Sequence, residues 1–176
     1  LAIPGGFTYG DDIESGRVLA NELQMYLKDA LLEFIRAGKL IIGICNGFQV
    51  LVKAGILPGL ADRKSTQLSS QEVTLTFNDS GKFEDRWVHL KFAGRCVWTE
   101  GCEGIIYLPV AHAEGKFVVQ DSVIFDKLTR DHQVVLRYCD EAGNVPVYPE
   151  NPNGSSDHVA GITDSTGRVF GLMPHP

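Results

Sequence analysis

A cysteine between two glycines is the residue of this sequence best placed for chemistry. The segment from Gly43 to Gln49 has the sequence GICNGFQ and directly follows an apolar run at positions 40–42. Flanking glycines permit a strained strand-to-helix turn that lifts a side chain clear of the sheet. A helix N-terminus also stabilises a thiolate, so we expect the pKa of Cys45 to be lowered. The pattern predicts a nucleophile elbow, and its alternative is a small apolar cysteine in a glycine-rich turn.

A nucleophilic cysteine needs a base, and two of the five histidines are candidates. His112 lies at the end of a predicted strand, and His175 follows the last predicted strand between two prolines. Open α/β sheets build their sites outside the carboxyl ends of the strands, and both histidines satisfy that rule. Spacing alone does not choose between them. His89 and His132 are expected at surface positions, and nothing in the sequence marks His158.

A double glycine near the N-terminus is a further candidate element of the site. The segment IPGGFTYGDD leaves a predicted strand into Gly5 and Gly6, whose backbone N–H groups could face an anion. The alternative is a loop in which Asp11 and Asp12 cap the next helix. The sequence alone favours neither.

The elements that would position these residues alternate between helix and strand. Apolar residues at helical spacing predict one helix over 17–37, ended by Gly38. A buried strand over 39–44 precedes a second helix over 46–55. The remaining predicted elements are antiparallel strands over 71–77 and 86–92, a core strand over 104–110 with 116–120 as its neighbour, a helix over 121–131 capped by Asp121, strands over 133–139, 158–164 and 168–173, and a loop over 147–157. This order predicts a single mixed α/β domain over residues 1–176.

Composition argues against several classes of protein. The chain of 176 residues has a net charge of −6 and no cluster of Lys and Arg among aromatics, so neither nucleic acid nor a membrane surface is expected as a partner. No apolar run reaches the roughly 18 residues that a membrane span needs. The four cysteines form no C-x-x-C pair, so no metal site is expected. Cys96, Cys102 and Cys139 are predicted to be free thiols of a reducing cytoplasm.

Six ordered strings of the sequence resemble a known family. They are PGGFTYGDD, GICNGFQVLVKAGILPG, NDSGKFEDRWV, LPVAHAEGKF, NPNGS and GLMPHP, and they span positions 4–176. They resemble the class I (triad) glutamine amidotransferases, and in particular the glutaminase components of phosphoribosylformylglycinamidine synthases. The resemblance implies a flavodoxin-like or Rossmann-like mixed sheet flanked by helices. The opening part of that sheet would precede Leu1, so we expect a domain truncated at both ends.

The resemblance implies hydrolysis of L-glutamine to glutamate and ammonia through a cysteinyl thioester. The ammonia would pass to a synthetase subunit that converts formylglycinamide ribonucleotide to formylglycinamidine ribonucleotide in purine biosynthesis, and a small accessory subunit is a further candidate partner. ATP and magnesium are expected on that synthetase, with no cofactor or metal in this subunit. A cytoplasmic location is implied as well.

Carried over onto this sequence, the resemblance makes Cys45 the nucleophile and His175 the base and acid. It assigns the oxyanion hole to the backbone of Gly6 and Asn46. The family completes its triad with a glutamate two residues after the histidine, which here would fall just past Pro176.

The implied glutamine pocket consists of Gln49 and the backbone around Ala113 and Glu114, which makes His112 a residue of the pocket wall. The strings over 78–88 and 150–157 are predicted to dock on the synthetase rather than to serve glutamine chemistry. Their candidate anchors are Phe83, Arg86 and Trp87, and the alternative is an ordinary hairpin and turn.

Three alternatives to this function remain at the level of sequence. One is a glutaminase that serves another synthetase of the same class. Another is a catalytically impaired, amidotransferase-like regulatory subunit. The third is a cysteine peptidase or hydrolase of similar architecture.

Overall fold

The computed structural model describes residues 1–59 and 71–176. Within them the α-helices are α1 Arg17–Tyr26, α2 Lys28–Arg36, α3 Asn46–Lys53 and α4 Ser122–Arg130. The strands are β1 Ala2–Ile3, β2 Ile41–Ile44, β3 Val73–Thr76, β4 Glu84–Phe92, β5 Ile105–His112, β6 Lys116–Val119, β7 Val134–Cys139, β8 Val159–Thr163 and β9 Val169–Leu172. Short 3₁₀ turns occupy Thr8–Asp11, Val97–Thr99 and Ser156–His158.

A mixed seven-stranded sheet forms the centre of the protein. Its strand order is β1-β2-β9-β8-β7-β4-β5. The first three strands are parallel, and each later strand is antiparallel to its neighbours. Strands β3 and β6 pair separately as an antiparallel ribbon. The predicted mixed α/β class is therefore confirmed, with the parallel part of the sheet leading to the predicted elbow.

Two pairing predictions are wrong. The segment over 116–120 was expected beside the strand over 104–110, but β6 leaves the main sheet and pairs with β3. The strand over 104–110 was expected in the core, but β5 is an edge strand whose Ile105 and Tyr107 are exposed. The exposed residues of β5 are apolar, so the hydrophobic pattern of the sequence does not reveal that one face of this strand is open to solvent.

The first helix prediction is also corrected in part. Leu27, with φ −125° and ψ 9°, interrupts the expected helix over 17–37 and separates α1 from α2. No glycine or proline stands at the break, so the sequence gives no signal for it. The stop at Gly38 has the positive φ of +68° that a helix end favours. The predicted cap of α4 is confirmed, because the Asp121 side chain accepts a hydrogen bond from the Ile124 N–H at 2.9 Å.

The main sheet curls until its edge strand reaches the ends of its central strands. The His175 N–H, which follows β9, donates to the Pro109 carbonyl of β5 at 2.9 Å. The thiol of Cys45, which follows β2, lies 3.6 Å from the Ala111 carbonyl of the same strand. The curl therefore gathers three strand ends around one point.

Glycines let α3 lie directly against the parallel strands. A Cβ at Gly47 would overlap the Ile3 carbonyl oxygen of β1, and one at Gly43 would meet the Gly47 carbonyl. Backbone thus packs on backbone at the start of α3, which only a residue without a side chain allows. Phe48 and Leu51 on the same helix are fully buried in the core beneath it.

Replacing Gly47 by alanine is expected to lower the free energy of unfolding by roughly 3 kcal/mol or more, because the overlap is with backbone that has no room to move. Gly104→Ala is the control, since Gly104 has positive φ but open space around it. Its expected cost is about 1–2 kcal/mol of backbone strain. Urea unfolding of both variants measures the difference, and equal losses would contradict the packing described.

Candidate active site

Cys45 occupies a strained turn between β2 and α3. Its φ of +51° and ψ of −106° lie in a region that side-chain-bearing residues rarely adopt. Its N–H donates to the Leu172 carbonyl of β9 at 2.8 Å, which fixes the turn at the carboxyl ends of two parallel strands. This is the strand, turn and helix geometry that the glycine pattern predicts.

The thiol of Cys45 is buried, with the residue only 4% exposed. Burial raises the pKa of Cys45 to about 11, the backbone N–H of Asn46 opposes the rise, and the Asp11 carboxylate adds to it. The expected lowering of this pKa by the helix N-terminus is therefore wrong, because desolvation outweighs it. The resting group is a neutral thiol, so attack requires a group that takes its proton.

His175 lies beside Cys45, with Gly5 between them. A Cβ on Gly5 would lie 2.6 Å from Cε1 of His175 and 3.4 Å from Cβ of Cys45. The first glycine of the predicted pair thus supplies space rather than a side chain. Nε2 of His175 is buried and has no hydrogen-bond partner among residues 1–59 and 71–176. The fold brings the predicted nucleophile and the predicted base together.

A narrow cleft opens at Cys45. It is lined by Gly6, Phe7, Asp11, Ser15, Cys45, Gln49, Ala111, His112 and Ala113. Its cavity volume is about 30 Å³, so the cleft is small. A larger groove of about 550 Å³ lies around Cys96 and Asp164 and contains none of the predicted site residues.

The side chains of Asn46 and Gln49 tie the walls of this cleft together. Asn46 donates to the Gln49 side-chain oxygen at 3.0 Å and accepts from the Thr8 hydroxyl at 2.8 Å. Gln49 in turn donates to the Glu114 carbonyl at 2.7 Å. Only the backbone of Asn46 is expected in the site from the sequence, whereas its side chain also holds the loop that carries Gly6.

Glu114 supports the cleft from behind. Its carboxylate accepts from the Ser15 N–H at 3.3 Å and lies 3.6 Å from the ammonium group of Lys53, which is almost fully buried. The predicted pocket residue is therefore an anchor for the segment before α1. The Asp11 carboxylate accepts from Asn46 at 3.4 Å and does not cap α1, which begins after Gly16 without a side-chain cap.

Sequence reasoning missed Asn78, which supports the wall over 112–115. Its amide nitrogen donates to the His112 carbonyl at 2.8 Å, and its side-chain oxygen accepts from the Gly115 N–H at 3.0 Å. Its own N–H donates to the Ala113 carbonyl at 2.9 Å. Asn78 opens one of the strings assigned to docking, so this part of that interpretation is corrected: the residue is buried and serves the pocket.

Three of the five histidines, other than the predicted base, differ in their exposure to solvent. His112 is only 3% exposed, and burial lowers its pKa to about 4, which keeps it neutral at ordinary pH. His132 is exposed as predicted, but His89 is half-buried with its ring 4.5 Å from that of Tyr107.

Several other observations bear on the class of protein. All four cysteines are free thiols. Among residues 1–59 and 71–176, no group of three or more His, Cys, Asp and Glu side chains is arranged to hold a metal ion. None of the described helices has the length and apolarity needed to cross a membrane.

Known proteins share both the sequence and the fold. Residues 1–176 match the family described as the CobB/CobQ-like glutamine amidotransferase domain. The phosphoribosylformylglycinamidine synthase subunit PurQ of Dehalococcoides mccartyi is 49% identical over 180 residues, which cover 100% of this chain and 66% of that protein. The subunit of the same name from Methanococcus maripaludis is 45% identical over 181 residues, covering 100% of this chain and 64% of that protein. The chain therefore spans a little under two thirds of the length of these curated relatives.

A solved structure agrees with these relatives. The structure of PurLQS from Thermotoga maritima contains a chain that is 36% identical, with a TM-score of 0.73. The match covers 99% of this chain and 68% of that one.

We predict that the free energy of unfolding falls as the pH is lowered from about 6.5 to about 4. Unfolded His112 takes up a proton near its ordinary pKa of 6.5, whereas folded His112 stays neutral down to about 4. The loss over this range is roughly 3 kcal/mol from this group. Denaturant titrations across the range should show that His112→Gln removes this part of the slope. His132→Gln, at an exposed position, should keep it, and identical slopes in the two variants would contradict the assignment.

Proposed function

This chain belongs to the CobB/CobQ-like glutamine amidotransferase domain family, and we propose that it hydrolyses L-glutamine to glutamate and ammonia through a thioester on Cys45. The observation that carries the proposal is the placement of Cys45 on a strained elbow with His175 beside it across Gly5. The cleft at the thiol, bordered by Gln49 and Ala113, is where glutamine would bind.

The first step joins the sulfur of Cys45 to the carboxamide carbon of glutamine. Because burial keeps the thiol neutral at rest, His175 takes its proton as the sulfur attacks. Negative charge then develops on the carboxamide oxygen, where the N–H groups of Gly6 and Asn46 would receive it. The loss of one such donor typically costs roughly 3 kcal/mol of transition-state stabilisation.

The second half of the reaction releases both products. His175 gives its proton to the leaving nitrogen as the carbon–nitrogen bond breaks, and ammonia departs. Water then attacks the thioester while His175 takes one of its protons, and as the carbon–sulfur bond breaks His175 returns that proton to the sulfur, which yields glutamate and the Cys45 thiol. The groups of the chain suffice for each transfer, so we propose that this half-reaction uses neither a metal nor an organic cofactor.

We further propose that the ammonia passes to a synthetase that converts formylglycinamide ribonucleotide to formylglycinamidine ribonucleotide. The names of the PurQ relatives and the PurLQS structure support this assignment. ATP and magnesium would bind the synthetase, a small accessory subunit would complete the assembly, and the complex would work in the cytoplasm.

The docking face for that synthetase is proposed to be the aromatic surface, defined as Phe7, Phe83, Trp87 and Tyr107. Each of these side chains is about half exposed or more. The rings of Trp87 and Tyr107 stack at 5.2 Å, and those of Phe7 and Phe83 lie 6.2 Å apart. Arg86, predicted as an anchor, instead forms an ion pair with Glu84 and stacks on a tyrosine ring.

The aromatic surface reaches the cleft at Phe7. Phe7 lines the cleft itself, and Tyr107 lies on β5, the strand whose carbonyls at Pro109 and Ala111 contact the catalytic pair. Ammonia released at the sulfur must enter the partner before it enters solvent. A partner that receives it must therefore cover this rim, and large aromatic side chains are the kind that anchor such contacts.

We predict that a glutamine-like electrophile alkylates Cys45 faster than any other cysteine and that added glutamine protects it. Exposed Cys102 is the internal control, since it should react with iodoacetamide but gain no protection from glutamine. Peptide mass mapping after brief exposure measures both. Preferential labelling of Cys102 by the glutamine-like reagent would refute the assignment of the nucleophile.

Cys45→Ser should lower the kcat for glutamine hydrolysis by at least about 10³-fold, because a serine hydroxyl lacks the nucleophilicity of a thiolate. Its thermal unfolding should stay close to that of the parent protein. Hydrolysis that survives this substitution would mean that the chemistry takes place elsewhere.

Trp87→Ala is expected to raise the Kd for the purified synthetase by about tenfold or more, because the substitution removes a large exposed anchor. Tyr26→Ala on α1 is the control, since Tyr26 is 73% exposed and belongs to another face. Calorimetric titration compares the two. If both variants bind as the parent protein does, the aromatic surface is not the interface.

A further inference from the structure

Asn153 is fully buried, and its side chain contacts Ser155 through its oxygen and Tyr138 and His112 through its nitrogen. Its side-chain oxygen accepts from the Ser155 N–H at 3.0 Å and from the Ser155 hydroxyl at 2.6 Å. Its amide nitrogen lies 3.1 Å from the Tyr138 hydroxyl and 3.5 Å from Nε2 of His112. The loop over 150–157, interpreted from sequence as a docking element, thus sends this side chain inward.

These contacts indicate which nitrogen of His112 carries the proton. A backbone N–H can only donate, so the Ser155 N–H orients the Asn153 amide with its oxygen as acceptor. The amide nitrogen then faces Nε2 of His112 as a donor at 3.5 Å, a long contact in which Nε2 is the acceptor if it is unprotonated. A neutral imidazole has one donor and one acceptor nitrogen, so this contact favours a hydrogen on Nδ1, which is buried and has no hydrogen-bond partner among residues 1–59 and 71–176.

We propose that Asn153 is a positioning residue that acts through His112, holding it as the neutral Nδ1–H tautomer so that this ring adds no positive charge beside His175. The inference rests on the proposed function. In that mechanism His175 becomes positively charged when it takes the thiol proton. A second imidazolium in the same wall would oppose that charge, since like charges repel strongly where water is excluded.

One of the charged groups around His112 favours its protonation, so a contact that keeps the ring neutral has an effect to oppose. Glu84 is the cross-strand partner of His112 on β4, and its buried carboxylate favours the protonated ring. Arg86 forms an ion pair with that carboxylate and so weakens its effect on the pKa of His112. Burial and His175 both act in the other direction and lower the pKa of His112. The donor from Asn153 adds to their effect by occupying the nitrogen that would otherwise take a proton.

Asn153→Asp tests the proposal, because it keeps the shape but replaces the donor with an acceptor. A carboxylate there favours a proton on Nε2 and raises the pKa of His112. The acid limb of the kcat profile should then move up by at least about one pH unit, with kcat at pH 7 reduced about tenfold or more and KM changed less.

Asn151→Asp is the matched control. Asn151 is buried in the same loop, and its amide nitrogen donates to the Ser155 carbonyl and contacts Nδ1 of His158, away from the cleft. The same chemical change there should leave the pH profile in place. Equal shifts in the two variants, or no shift in Asn153→Asp, would overturn the proposal.

Nitrogen-15 NMR of histidine-labelled, full-length protein tests the tautomer directly and without a variant at Asn153. The His112 signals, assigned by their loss in His112→Gln, should show a neutral ring protonated on Nδ1. A ring protonated on Nε2, or a charged ring at pH 7, would overturn the inference even if Asn153→Asp failed to fold. If instead the parent protein had no glutaminase activity with its partner, the proposed function would fail while the NMR result still decided the tautomer.

Discussion

The curl of the main sheet is the constraint on which the site depends. In a flat sheet β5 would lie four strand spacings from β9, or about 19 Å away. In the folded protein the His175 N–H donates to the Pro109 carbonyl of β5 at 2.9 Å. Because the edge strand returns to the ends of β2 and β9, its last residues become one wall of the cleft, and the sulfur of Cys45 meets the Ala111 carbonyl.

Burial keeps two groups of the site, the Cys45 thiol and the His112 ring, uncharged. It raises the pKa of Cys45 to about 11 and lowers the pKa of His112 to about 4, so the thiol and this ring are both uncharged near neutral pH. The wall between them is held by amides, chiefly Asn46, Asn78 and Asn153, which supply hydrogen bonds without adding charge. At the sulfur itself the backbone N–H of Asn46 acts against burial and favours the thiolate, whereas the Asp11 carboxylate opposes it.

Local chemistry could be predicted from the sequence, and long-range pairing could not. The turn at Cys45, the stop at Gly38 and the cap at Asp121 depend on backbone dihedrals and neighbouring groups, which residue types largely determine. The position of β5 at an edge depends on strands far away in the chain. Its apolar residues are typical of a buried strand, although Tyr107 among them is exposed. The sign of the pKa shift at Cys45 likewise depends on how deeply the whole fold buries the sulfur.

The similarity of these sequence strings to those of a family indicates that their residues have a role. It does not show to which side of the structure each side chain is directed. In the string over 78–88, Asn78 and Glu84 are buried, whereas Phe83 and Trp87 are exposed. Alternation along β4 explains the opposite burial of Glu84 and Trp87, since successive side chains of a strand face opposite sides of the sheet. One strand therefore supports the pocket wall with one face and presents aromatic rings with the other. Substitutions confined to one face of β4 can consequently change the pocket wall and the exposed aromatic rings separately, a distinction that the string does not show when it is taken as a single motif.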